Sequence, residues 1–302
     1  MSIDSLRSLV ADLAASAGAL AVVGAELHSR ASGKPIDPES RPYVDAILQE
    51  IGAAAAMEGV SREEFKALFT EIRHFWLLDG ELLSNPERAP GWTHTHSDIL
   101  ATGGELTEGF ANVLARIAPQ FEDLAARLEG PNGSFLDVGT GVGRLSIAIA
   151  RNWSSLRVVA IDNWGPALSL ARSNVAAAGL QDRIEIREQD AEALLDERAF
   201  DLVWIPAPFI PPQKLWRIVE RVHRALKPGG WLLFATAKPG TDLRAALMAL
   251  RVATWGGQMI SEDEIQKRLA DAGFTQIRVL PGPPRDFKIV IAGCRALGHS
   301  NI

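Results

Sequence analysis

Asp137, Gly139, Gly141 and Gly143 are spaced D-x-G-x-G-x-G, and two further carboxylates, Asp162 and Asp190, each close a later stretch that reads as a strand. Glycines at such intervals let a backbone turn tightly and approach a ligand, because positive φ carries no steric cost without a Cβ. The dinucleotide fingerprint is G-x-G-x-x-G, so the third glycine here comes one residue early. An acid two residues before the first glycine would repel a pyrophosphate, whereas it suits the ammonium of an amino acid. Asp162 falls a little over twenty residues after Gly139, where a carboxylate at a strand end accepts both hydroxyls of a ribose. A separate group of residues, Trp92, His94 and His96, places two imidazoles beside an indole. Histidine titrates near neutrality and can take a proton from a hydroxyl, so His94 and His96 are the candidate catalytic bases.

These residues need a sheet to position them. Phe135, Leu136 and Val138 read as a buried strand entering the glycine loop, and Leu145–Ala150 follows with helical composition. Val158–Ile161 ends in Asp162, the stretch 183–189 ends in Asp190-Ala191, and Phe200–Ile205 runs into Pro206. Pro166 and Pro211-Pro212 suit the first turns of intervening helices, and Gly273 closes another. Ile277–Leu280 and Phe287–Ile291 flank the turn Pro281-Gly282-Pro283-Pro284, which permits a hairpin and an antiparallel last strand at the sheet edge. The expected architecture is α/β, a doubly wound, mostly parallel seven-stranded sheet with an N-terminal all-helical extension. Residues 1–96 read as helices only, with Ser61 and Glu64 in a capping-box pattern, and residues 97–302 as the sheet domain, entered through one long amphipathic stretch from Ser97 to Leu128.

From about Phe135 to Gly240 the chain resembles the class I S-adenosylmethionine-dependent methyltransferases. The likeness rests on the D-x-G-x-G-x-G stretch, Asp162, Asp190-Ala191 and Leu226-Lys227-Pro228-Gly229-Gly230-Trp231. It implies S-adenosylmethionine as cofactor and S-adenosylhomocysteine as product. Asp137 would lie near the methionine ammonium, and the loop of Gly139, Thr140, Gly141 and Gly143 would line the methionyl part. Asp162 would take the ribose, Asn163 or Trp164 would abut the adenine, and Asp190 with the Ala191 amide would read its edge, with Pro206 also on the cofactor side. Amide- and adenine-directed relatives end the fourth strand in Asn/Asp-Pro-Pro-Tyr/Phe. Here the stretch is Pro206-Ala207-Pro208-Phe209, and the polar first residue is missing. No acid follows the strand to hold a magnesium ion, so metal-independent transfer is expected. The chain is similar to two-domain small-molecule methyltransferases, with a hydroxyl oxygen as the expected acceptor atom. Two alternatives stay open: a methyltransferase of a protein or other macromolecule, and a non-catalytic regulator that binds the cofactor or its product.

Composition narrows the partners. The formal charge of −6 over 302 residues, with no long basic run, argues against a nucleic-acid substrate. Cys294 is the one cysteine, so no intrachain disulfide forms and a reducing cytoplasm is the default location. Leu13–Val23 has the look of a signal core, but Asp4, Asp12 and a weak basic lead argue against secretion. No uninterrupted apolar run reaches the roughly 18 residues of a membrane span, and no membrane partner is expected. Leu6, Val10, Leu13, Ala17, Leu20, Gly24 and Leu27 share one helix face, which suggests a homodimer through the N-terminal region. Trp153, Trp216 and Trp231 read as packing. His74, Trp76, Trp92, Phe209 and Trp255 are the candidate substrate-binding residues, and their aromatic character suits a bulky, partly apolar small molecule.

Overall fold

The computed structural model describes residues 2–121, 123–280 and 288–295, and the chain divides into two compact units, Met1–Pro86 and Glu87–Ile302. The division falls earlier than residue 96, so the segment with Trp92, His94 and His96 belongs to the sheet unit. The correction has a physical cause: Gly91 N–H donates to the Thr254 carbonyl (2.9 Å) and the His94 carbonyl accepts from Trp164 Nε1 (2.8 Å), bonds that tie the segment to the second unit.

The first unit is helical: α1 (Ile3–Ser32), α2 (Arg41–Glu50), α3 (Ala53–Ala56) and α4 (Arg62–Ser84). Its core gathers Leu27, Leu48, Met57 and Phe65. Ser61 and Glu64 form the expected reciprocal capping box at the start of α4. Glu26 is buried, yet Arg30 and Arg41 each reach it at 2.7 Å; burial alone would raise its pKa, and these two guanidinium groups carry it below the usual value. The first half of α1 has no such packing. Leu6, Leu9, Val10 and Leu13 are exposed, while Gly24 and Leu27 further along are buried. One 18-residue window of α1 has mean hydropathy 1.7 with 6% of it buried, so by length and composition the helix satisfies a membrane span despite the charges at Asp4, Arg7 and Asp12.

In the second unit, the long amphipathic stretch from Ser97 folds as α5 (Ser97–Glu108), α6 (Phe110–Ile117) and α7 (Leu124–Glu129). Gly109 interrupts the first pair, and Pro119 lies in the tight turn Ala118–Gln120 that follows α6. Strand–helix alternation then begins: β1 (Ser134–Val138), α8 (Arg144–Asn152), β2 (Arg157–Asp162), α9 (Gly165–Ala177), β3 (Ile184–Glu188), β4 (Phe200–Pro206), α10 (Pro212–Ala225) and β5 (Leu226–Ala237). The remaining elements are α11 (Leu243–Thr254), which the sequence pattern had not marked, α12 (Glu262–Asp271), β6 (Phe274–Leu280) and β7 (Lys288–Arg295).

The seven strands form one sheet in the order β3-β2-β1-β4-β5-β7-β6. The first five pair in parallel and β7 runs antiparallel to both its neighbours. The antiparallel strand is therefore not at the edge, as expected; it is inserted between β5 and β6, and β6 holds the edge. The turn Pro281-Gly282-Pro283-Pro284 lies outside the described residues. Central strands are buried on both faces, with Leu136, Leu202, Val203, Trp231, Leu232, Leu233 and Phe234 fully covered, as a parallel sheet between helix layers requires. Trp204 belongs to this core through a 4.3 Å ring contact with Phe110. The strand order reverses between β1 and β4, and ligands of doubly wound sheets bind outside the carboxyl ends of the strands at such a switch point.

Candidate functional site at the carboxyl ends of the strands

Gly139, Gly141 and Gly143 all take left-handed backbone, with φ of 69°, 55° and 76°, which explains the glycine at each position. The Gly139 and Thr140 N–H groups donate to the Ile161 carbonyl at 2.9 and 3.0 Å, so the loop is tied to the end of β2. A Cβ on Gly139 would lie 3.4 Å from Pro206, and one on Gly143 would lie 3.4 Å from Ala171, whereas one on Gly141 would meet nothing within 4 Å. Gly141 thus leaves open space on the side where a ligand can approach. From the other side α5 closes on the loop: a Cβ on Gly104 would come within 2.3 Å of Val142, a contact with no motif to announce it.

Asp137 at the end of β1 is 1% exposed. Both Thr140 Oγ1 (2.8 Å) and Ser146 Oγ (2.6 Å) donate to its Oδ2. Burial pushes its pKa up to about 6; the two hydroxyls pull the other way, and the Asp162 charge adds to the rise. Asp137 has an ion pair with no Lys, Arg or His among the described residues.

Asp162 closes β2 with Oδ2 accepting from Gly141 N–H (2.8 Å) and Oδ1 from Trp164 N–H (2.9 Å). Burial raises its pKa, and those amides with that of Asn163 oppose the rise. Asp190 accepts from Glu192 N–H at Oδ1 (2.9 Å) and from Lys214 Nζ at Oδ2 (2.7 Å). Burial would raise its pKa too, but Lys214, the Glu192 amide and the Asn163 side chain bring it below the usual value. Ala191 opens the short turn beside it. The structure therefore brings the sequence-predicted cofactor residues to one rim, and adds Ser146 and Lys214, which the motif reading had missed.

On the β4 side, Phe209 and Trp255 stack at 4.7 Å, and Trp92 meets both edge-on at 4.9 and 6.0 Å. Close backbone packing holds this group, since a Cβ on Gly257 would strike the Pro208 carbonyl at 2.2 Å. His94 is 2% exposed, 4.7 Å from the Trp92 ring and 3.4 Å from Arg88 through Nε2. His96 differs: it is exposed, and its Nδ1 accepts from Asp98 N–H to cap α5. Of the other proposed substrate contacts, His74 is buried and Trp76 exposed on α4 of the helical unit. Among the described residues no group of three His, Cys, Asp or Glu side chains has metal-holding geometry.

Residues 135–230 match the model of a methyltransferase domain. A release factor glutamine methyltransferase of Rhodopirellula baltica is 29% identical over 160 residues, which is 50% of this chain and 53% of that protein. The chain spans about half the length of the curated relatives it matches. Among solved structures, an O-methyltransferase family protein from Burkholderia thailandensis superposes with a TM-score of 0.60 at 17% identity, covering 99% of each chain. The mitomycin 7-O-methyltransferase superposes with a TM-score of 0.61 at 17% identity, covering 97% of this chain and 98% of that one.

Proposed function

We propose that the protein, whose residues 135–230 match a methyltransferase domain, transfers the methyl group of S-adenosylmethionine to a hydroxyl oxygen of a small molecule, without a metal. The observation that carries this reading is Asp137, a buried carboxylate lacking a cation of its own, beside a glycine loop that is open at Gly141. A buried acid in that state is suited to an ammonium that arrives with a ligand. Asp137 would hold that ammonium, Asp162 the ribose hydroxyls, Asn163 and Trp164 the adenine face, and Asp190 with the Ala191 N–H the adenine edge.

The cofactor supplies a methyl already activated on a sulfonium, so the protein's part is positioning and exclusion of water. Trp92, Phe209 and Trp255 would line the acceptor side, where aromatic rings exclude water and face a cation favourably. His94 would take the acceptor proton; His96, committed to its cap, is the weaker candidate. The absence of a polar residue at Pro206 favours a hydroxyl over an amide, and the solved structures above include an enzyme named for O-methylation. The relation to a glutamine methyltransferase supports the competing reading of a protein substrate.

Incubation of the full chain with labelled methyl donor, a metabolite extract, a protein extract and a chelator separates these readings. Label in a small molecule supports the proposal. Label on protein moves the function to a macromolecule, and binding of the product without turnover in either extract moves it to a regulator.

We further propose that the chain works as a homodimer in the cytoplasm, with the uncovered half of α1 packing against a second copy. Most helical stability in proteins comes from tertiary packing of an apolar face, which the first half of α1 lacks, and Leu6, Val10, Leu13 and Leu20 offer the exposed stripe. Light scattering at micromolar concentration should give twice the chain mass. A monomer that sediments with lipid vesicles would assign α1 to a membrane instead.

A further inference from the structure

We propose that Ser146, in the first turn of the helix that follows the glycine loop, and Thr140 within the loop are positioning residues for the methyl donor: their hydroxyls hold the Asp137 carboxylate in its ionised form and orient it toward the ligand ammonium. The inference rests on the donor-binding reading above and goes beyond it, since Ser146 belongs to no part of the D-x-G-x-G-x-G pattern. The geometry is direct. Ser146 is fully buried, its Oγ lies 2.6 Å from Asp137 Oδ2, and Thr140 Oγ1 lies 2.8 Å from the same oxygen. The two hydroxyls are 3.2 Å from one another. With both donors on Oδ2, Oδ1 is the oxygen left for a ligand.

These hydroxyls matter because the surroundings otherwise oppose the charge. From β2, Asp162 contributes a second carboxylate at the same rim and disfavours ionisation of Asp137. From β4, Trp204 is the residue in register with Asp137, and the acid of that strand, Asp201, is bonded to Ser134 at the opposite end of β1. From α8 come Ser146 and, in the first turn, Arg144, which forms no ion pair with Asp137. From α7, Arg127 pairs with Asp201. The hydroxyls of Thr140 and Ser146 are thus the groups that favour the anion before a ligand arrives, and hydrogen bonds to a charged form lower the pH at which it ionises.

Donor affinity then has two limbs. It rises as Asp137 ionises through about pH 6, and falls toward the alkaline end as the α-amino group of the ligand loses its proton. Calorimetry of S-adenosylhomocysteine binding to the full chain from pH 5 to 9 reads both limbs. Ser146→Ala should move the acid limb up by about one pH unit, so that affinity drops about fivefold at pH 6 and stays within about twofold at pH 8. Thr140→Val, close to isosteric, should shift the limb in the same direction by less, and Ser146→Thr, which keeps the hydroxyl, should restore it. Asp137→Asn should abolish the limb and so identify the titrating group. An unshifted acid limb in both Ser146→Ala and Thr140→Val would overturn the proposal, even if affinity fell equally at every pH, because that pattern reports packing alone. Should Ser146→Ala not fold, Thr140→Val decides. A wild-type chain that binds at no pH would overturn the donor-binding reading itself.

Discussion

Two buried aspartates stand at opposite ends of the sheet and differ in one respect. Asp201, 3% exposed near the start of β4, accepts from Lys227 Nζ at 2.6 Å, from Arg127 at 3.4 Å, and from the Ser134 N–H and hydroxyl at 3.0 and 2.9 Å. Asp137, 1% exposed at the end of β1, has two neutral hydroxyls and a neighbouring carboxylate. The fold neutralises the first acid with its own cations, so that acid serves strand packing. The second has no cation among the described residues; two hydroxyls offset part of the cost of burying it, and in the proposed reading a ligand ammonium supplies the countercharge. Burial and acidity alone therefore do not distinguish the two acids; the missing countercharge does.

The contrast can be broken or sharpened by substitution. The largest effect belongs to the rim: His94→Ala should slow turnover by about 10²–10⁴-fold with donor affinity nearly unchanged, measured by steady-state kinetics. His96→Ala should change the rate less than about tenfold. If neither variant reaches tenfold, transfer proceeds by positioning alone and both histidines are structural. At the other end of the sheet, Asp201→Ala strands Lys227 and Arg127 and should cost about 3–5 kcal/mol, lowering Tm by roughly 10 °C. Donor affinity of the folded fraction should be unaltered; a large loss of affinity would dissolve the distinction between the two ends.

Asp137→Asn should do the reverse of Asp201→Ala. The pKa of Asp137 in the fold lies above the unfolded value of 3.8, so the group supports the fold fully below that pH and withdraws its support as pH rises through about 6. Replacing it with an uncharged amide should therefore stabilise the chain at pH 7.5 by about 1–3 kcal/mol, a rise of a few degrees in Tm. The same variant should weaken donor binding at neutral pH and make it independent of pH on the acid side. Thermal melts at pH 4.5 and 7.5 test the sign, because the gain should shrink at the lower pH. Smallest is Asp162→Ala, which should weaken donor binding about tenfold or more while the fold survives, with Tm lowered by the loss of the Gly141 and Trp164 amide bonds; unchanged affinity by calorimetry would remove the ribose assignment.

Much of the donor side was legible in the chain because it is written in neighbouring residues. Asp137, Gly139, Gly141 and Gly143 are set by backbone demands within one turn, and the three left-handed glycines are as their spacing requires. Asp162 was legible at the close of an apolar run and Asp190 just past a stretch in which Ile184 and Ile186 alternate with polar residues. The proposed acceptor side was less so. Trp92, Phe209 and Trp255 come from three distant segments, and their mutual stacking depends on how the segment after Glu87 and the end of α11 close on the end of β4. The helix α11 escaped notice because its exposed leucines, Leu243, Leu247 and Leu250, blur the polar face that an amphipathic pattern needs.

By itself, then, the sequence determined the strand–helix alternation, the glycine loop, the three carboxylates at strand ends and the missing polar residue at Pro206, all properties of residues adjacent in the chain. Tertiary structure alone decided that β7 inserts between β5 and β6, that His96 is spent on a helix cap while His94 is buried, and that Lys214 answers Asp190. It also decided which buried acid is neutralised within the fold and which is not. The reason is physical: backbone conformation follows from local sterics, but the partner of a side chain depends on which distant elements the strand order and helix packing bring alongside it.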